Sequence, residues 1–190
     1  MKKNTWHSYS ENEVAELTNL NEEYKEFISK SKTERDATRN IIFLAEQAGF
    51  RNLDYYIEHN LKLFSGDKVY VNNRNKSVAL FVIGSKDITS GINILGAHID
   101  SPRLDLKSTP LYEESSFAYL DTHYYGGIKK YQWVTLPLAL HGVVVKKNGE
   151  KKYITIGEDE NDPVLGITDL LPQLGKEQMK KEASEVIPGD

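Results

Sequence analysis

Within NILGAHIDSPRLDLK, Asn93 to Lys107, an apolar run ends on His98, Asp100 follows two residues later, and Ser101-Pro102 closes the stretch. An imidazole and a carboxylate at that spacing suit metal chemistry. One ring nitrogen binds an ion while an acceptor on the other N–H fixes the tautomer and the ring's orientation. If the run is a β-strand, residues two apart share a face, and in open α/β sheets ligands bind outside the carboxyl ends of the strands. Cysteine is absent, so any metal must be held by histidine and carboxylate side chains. His98 is the candidate metal ligand and Asp100 the candidate catalytic carboxylate that orients it. The spacing alone leaves a plainer reading open, in which His98 is a satisfied strand-end histidine and Asp100 with Ser-Pro starts a turn.

The other histidines point to a site less clearly. His59 lies in YYIEHNLKLF beside Tyr55, Tyr56 and Leu61, His7 is in the terminal segment, and His123 and His141 flank the β-rich part. No His-Glu-x-x-His, Gly-x-Ser-x-Gly or phosphate-cradling glycine loop occurs. YYGGIKKY has two glycines and two lysines but leads into no clear helix.

The elements that must position His98 begin with two amphipathic helices. Val14, Leu17, Leu20, Tyr24, Phe27 and Ile28 recur at helical spacing opposite a glutamate-rich face. A second helix is expected from SKTE, with Ser31 and Glu34 as a capping box, to a stop at Gly49. The period then changes. KVYVN, SVALFVI and INILGAHI are rich in β-branched and aromatic residues and read as strands, the first two joined at Asn73-Arg74. After Lys107, STPLYEESS reads as a polar connector, followed by strands in FAYLDTHYYGG, YQWVTLPLALHGVVV and KYITIG. Asn148-Gly149 is a hairpin signal between the last two, and Pro137 argues for an edge or a bulge. A domain boundary is placed near residue 108, with residues 1–107 as helices plus a mixed sheet and 108–190 as mainly β. The closing ITDLLPQLGKEQMKKEASEVIPGD carries one short amphipathic piece and no finishing element, and reads as a fragment boundary.

Composition narrows the function classes. The chain has 190 residues, 39% hydrophobic and 27% charged, without low-complexity tracts, which places it among soluble globular proteins. With 24 Lys plus Arg against 28 Asp plus Glu, a net charge of -4 offers no large positive field for a phosphate backbone, so no nucleic-acid partner is expected. No segment approaches the ~20 apolar residues of a membrane span. MKKNTW is followed by polar, acidic sequence rather than the apolar core of a signal peptide. A cytoplasmic protein is expected.

GAHIDSPRLDLK followed by HYYGGIKKYQWVTLPLALHGVVV resembles the aspartyl-aminopeptidase-like zinc metallopeptidases. KTERDATRNIIFLAEQAGF, VYVNNRNKSVALFVIG and GEDENDPVLGITDLLPQL look like their bacterial members, so the likeness covers essentially the whole chain and favours the metal reading of His98. The resemblance implies an α/β/α zinc-peptidase sheet domain, only its N-terminal part present, interrupted by a β-rich dimerisation domain. Dimers would assemble into a larger homo-oligomeric particle acting on peptide substrates. It further implies a two-metal Zn2+ site, with ions ~3.5–4 Å apart, in which His98 is the first ligand and Asp100 its orienting acid. The remaining ligands and the general base would lie beyond residue 190. The 190-residue chain alone is then expected to be inactive. IKKYQW stands where many eukaryotic relatives carry a Trp-His segment; Lys129 or Lys130 there, if it reached the pocket, would favour acidic first residues by charge pairing, and the plainer reading is that both are surface lysines. The rival reading is a non-catalytic assembly module on the same scaffold.

Overall fold

The structure is a computed structural model that describes residues 4–187. The basic start Met1–Lys3 and the last three residues of IPGD lie outside the described residues. The chain divides into two units, Met1–Asp100 and Ser101–Asp190.

In the first unit, helix α1 (Glu11–Lys30) starts at Ser10, whose side chain accepts from Glu13 N–H while the Glu13 carboxylate accepts from Ser10 N–H. That reciprocal cap satisfies donors that a helix start leaves unpaired. The expected cap of the second helix is displaced. Helix α2 (Glu34–Gln47) is capped by Thr33, which accepts from Asp36 N–H. Ser31 instead ends α1, and its hydroxyl accepts from the Asn40 side chain at 3.1 Å. Ser31 is taken up as the C-cap of α1, its N–H on the Ile28 carbonyl, which leaves Thr33 in extended backbone to accept from Asp36 N–H. The stop at Gly49 is found: Gly49 has φ +85, its N–H reaches the Glu46 carbonyl, and Phe50 N–H reaches that of Ala45. That pair of bonds closes a helix C-terminus and requires a left-handed residue.

Beyond it come β1 (Arg51–Asn52), α3 (Leu53–Glu58), β2 (Lys68–Asn73) and β3 (Ser77–Val82). The strands form a sheet in the order β1-β2-β3, with β1 parallel and β3 antiparallel to β2. As expected, β2 and β3 form a hairpin, turning through Arg74 and Asn75 with φ 56 and 57. Helix α2 packs on β2 and β3. Its Ala37, Thr38 and Ala45 and the sheet's Val69 and Tyr70 are buried, and Ala37, Ala45, Val69 and Tyr70 are the buried hydrophobic residues among those described. Tyr70, 6% exposed, donates its hydroxyl to Glu46 on α2 at 2.7 Å. Burial, then the Glu46 bond and charge, pushes the phenol up to about 12.

The expected third strand, INILGAHI, does not form. Residues 91–102 carry no strand, and Ile92, Ile94 and Leu95 are exposed, Leu95 completely at 101%. The residue types favour a strand, but a strand needs a neighbour for its N–H and C=O groups, and no described residue pairs with this run.

The second unit is built from hairpins. Strands β4 (Arg103–Glu114) and β5 (Phe117–Tyr125) are antiparallel and turn at Ser115-Ser116, both with positive φ. STPLYEESS is therefore mostly strand rather than connector, and β4 runs through position 107. Pro110 is tolerated because it falls in the register shift between Leu106 and Leu111, where no ladder bond is asked of its missing N–H. YQWVTLPLALHGVVV splits in two at Ala139. Pro137 opens β6 (Pro137–Leu138), which pairs with β9 (Leu165–Gly166), while β7 (Leu140–Val145) pairs with β8 (Lys151–Ile156). The β7–β8 turn contains Asn148 and Gly149, the latter at φ +84, as the hairpin signal predicts.

Tyr70 gives a stability test. A phenol whose folded value lies above its unfolded value of about 10 stabilises fully below pH 10 and loses that contribution as pH rises toward about 12. Tyr70→Phe should lower unfolding free energy by about 1 kcal/mol near neutrality, measured by urea denaturation. The gap between wild type and variant should narrow above pH 10; a constant gap would contradict the buried, Glu46-bonded phenol.

Candidate metal-ligand site

His98 and Asp100 sit at the end of the unpaired run rather than at the end of a strand. The structure nevertheless brings the two side chains together: His98 Nδ1 lies 3.1 Å from Asp100 Oδ1 and 3.2 Å from the Asp100 carbonyl oxygen. Both neighbours are acceptors, so Nδ1 carries the proton and donates to them. Nε2 then keeps its lone pair, the form in which a neutral imidazole binds a metal. The imidazole is 85% exposed and the carboxylate 40%, so the ring stands in solvent and not inside a core.

Zinc takes four ligands in a closed site and three protein ligands in a catalytic one. Among the described residues no group of three or more histidine, aspartate or glutamate side chains is placed to hold a metal ion. The donor type and tautomer of His98 fit the first position of such a set, but the residues present do not complete it. No catalytic step through a metal follows from them.

The other histidines occupy different settings. His59 ends α3, with Nδ1 2.9 Å from the Tyr55 carbonyl and its ring 4.3 Å from that of Tyr55. His7 ends an exposed 3-10 turn. His123 lies on β5 opposite Asp105. His141 is the most enclosed of these, its side chain 16% exposed and Nε2 2.8 Å from Glu158 Oε1. Sequence reading passed over Glu158, since its approach depends on the turn at Gly157 after β8. There φ is +95 and an added Cβ would meet the Leu138 carbonyl at 2.8 Å. In YYGGIKKY, Lys130 Nζ lies 5.7 Å from the Tyr124 ring and Lys129 is exposed. The three-residue 3-10 turn Lys130–Gln132 that follows is too short to cradle a phosphate.

A model of aminopeptidase I zinc metalloproteases, family M18, matches residues 27–187. The chain belongs to the M18 family. A probable M18 family aminopeptidase 1 from Clostridium acetobutylicum is 52% identical over 188 residues, which is 99% of this chain and 40% of the relative. One from Borrelia garinii is 48% identical over 190 residues, covering 100% of this chain and 41% of the relative. Among solved structures, an M18 aminopeptidase from Thermotoga maritima superposes with a TM-score of 0.85 at 41% identity, over 97% of this chain and 39% of that one. Aminopeptidase I from Clostridium acetobutylicum gives 0.82 at 49% identity, over 98% and 41%. The mixed α/β fold is thus that of M18 crystal structures. The chain spans about two fifths of the length of these M18 relatives.

The His98–Asp100 geometry has a direct readout. In Asp100→Ala the neutral imidazole should shift away from the Nδ1–H tautomer, as followed by nitrogen-15 NMR of the ring. An unchanged tautomer ratio would show that Asp100 does not orient His98.

Proposed function

We propose that this chain is part of a longer cytoplasmic zinc aminopeptidase that removes amino-terminal residues from peptides, with His98 as a metal ligand and Asp100 as the carboxylate that holds its ring. The observation that carries this reading is the 3.1 Å contact between His98 Nδ1 and Asp100 Oδ1 in a chain of the M18 family. His98 would hold one of two ions, whose chemistry, once bound, would be to polarise the scissile carbonyl and lower the pKa of a bound water. Asp100 accepts a hydrogen bond from Nδ1–H, which fixes the tautomer with the lone pair on Nε2 and raises the basicity of the ring. The remaining ligands and a glutamate general base belong, in this reading, to the part of the longer polypeptide that the chain does not span.

On the same reading, residues up to 107 open the catalytic α/β domain, and 108–190 form most of an inserted β-rich domain through which copies dimerise and assemble into a larger particle. The β4–β5 hairpin supports this. A two-stranded hairpin is marginal by itself, and this one exposes Leu111, Tyr112, Phe117 and Tyr119, with the two tyrosine rings stacked at 5.3 Å. Lys129 and Lys130 are the residues through which the enzyme would favour an acidic first residue, by charge pairing.

Zinc content and amino-terminal hydrolysis, measured in parallel on the 190-residue chain and on the longer polypeptide, test the proposal. The short chain should retain no stoichiometric zinc and cleave nothing, and the longer one should do both. Stoichiometric zinc in the short chain would overturn the incomplete-site reading, while a longer polypeptide without zinc or activity would favour the assembly module. In the longer polypeptide, Asp100→Asn should weaken zinc binding by roughly 10- to 100-fold, read by competition with a chelating dye.

For the acidic preference, a panel of amino-terminal substrates on the longer polypeptide should show Asp and Glu cleaved faster than Leu, with the advantage lost in Lys129→Ala/Lys130→Ala. Equal rates for Leu and Glu dismiss it.

A further inference from the structure

We propose that Asn148 is a self-modification site: the backbone nitrogen of Gly149 displaces its side-chain amide, leaving aspartate and isoaspartate in the turn of the β7–β8 hairpin. Of the thirteen asparagines in the chain, Asn148 alone precedes a glycine. The structure adds three features. A Cβ built on Gly149 would meet nothing within 4 Å, so no side chain crowds the turn on that face. Glu150 N–H donates to Asn148 Oδ1 at 3.1 Å. That bond turns the carboxamide back over the turn, and it places a donor on the oxygen where negative charge develops when the carbonyl carbon is attacked. Lys146 and Lys147 before the turn and Lys151 and Lys152 after it make the flanking sequence basic, with Lys146 paired to Glu150 at 2.9 Å.

One contact opposes the reaction. Gly149 N–H donates to the Lys146 carbonyl at 2.9 Å, so the nitrogen is released only when the turn opens. Local opening of a two-stranded hairpin costs little. The contrast is Asn72, whose side chain is held by Asn75 through Nδ2 to Oδ1 at 2.6 Å and Oδ1 to N–H at 2.9 Å, and which is followed by Asn73.

The chemistry balances with water as the only co-reactant. Gly149 N gives its proton to solvent base and its lone pair bonds to Asn148 Cγ. The Cγ–Nδ2 bond breaks, ammonia leaves with a proton taken from water, and a cyclic imide remains. Water then adds to one of the two imide carbonyls and the ring opens, giving aspartate or, through the other carbonyl, isoaspartate. One water is consumed, one ammonia is released, and nothing is oxidised or reduced. Either product makes the chain one charge more negative than -4. Isoaspartate also lengthens the backbone by one methylene in a turn that holds Gly149 at φ +84.

The test is incubation of the 190-residue chain at neutral and at mildly alkaline pH, with peptide mapping by mass spectrometry and enzymatic methylation of isoaspartate. Amide-to-acid conversion should be at least about tenfold faster at Asn148 than at any other asparagine, equivalent to about 1.4 kcal/mol of barrier, and should accelerate with pH. Asn148→Gln should remove the isoaspartate signal. Glu150→Pro, which deletes the donor N–H and keeps the Asn-Gly pair, should slow conversion. Retention of the Asn148 amide while other asparagines convert would overturn the proposal, and an undiminished rate in Glu150→Pro would overturn the part given to the Glu150 hydrogen bond.

Discussion

A β-strand persists only where its backbone donors and acceptors meet those of a neighbour, and here that condition separates the sheet of the first unit from the run that ends on His98 and Asp100. β1, β2 and β3 satisfy one another, and α2 covers them through Ala37, Ala45, Val69 and Tyr70. The next apolar run, Ile92 to Ile99, has the composition of a strand and no ladder. Its Ile92, Ile94 and Leu95 are exposed, as are Leu80, Phe81 and Val82 of β3. Among the described residues none covers these side chains of the run, and an exposed apolar patch marks a surface that something else contacts. His98 is attached to the end of this uncovered run.

The pair formed by His98 and Asp100 is local enough to survive that absence. Two residues apart, the imidazole and the carboxylate meet without help from a sheet, and the contact sets the tautomer. Orientation of the ring toward anything else is another matter. A metal site demands several side chains fixed to within fractions of an ångström, which requires rigid elements beneath each of them. Under the proposed function the pair supplies one ligand, and a complete site would need elements such as the strand pairing that the run lacks.

Local physics was legible in the sequence, and long-range pairing was not. Both helices, the Gly49 stop, the β2–β3 and β7–β8 hairpins and the approach of Asp100 to His98 all follow from residues within a few positions of one another. The misread segments turned on partners. Thr33 took the cap from Ser31 because Ser31 already closes α1 through the Ile28 carbonyl. STPLYEESS became strand because β5 lay opposite it and Pro110 could sit in a register shift, and Ser115-Ser116 makes a tight turn without the usual Asn-Gly signature. INILGAHI failed as a strand for the opposite reason, since favourable residue types found no neighbour. His141 and Glu158 meet only through the turn at Gly157, which no spacing rule marks.

Backbone amide hydrogen exchange across residues 92–99 is the most direct measure of this dependence. In the 190-residue chain these amides should exchange at close to the rate of unstructured peptide while those of β2 are protected; in the longer polypeptide both segments should be protected. Protection of residues 92–99 in the 190-residue chain would mean that the strand is already paired, and that the position of His98 does not await the rest of the protein.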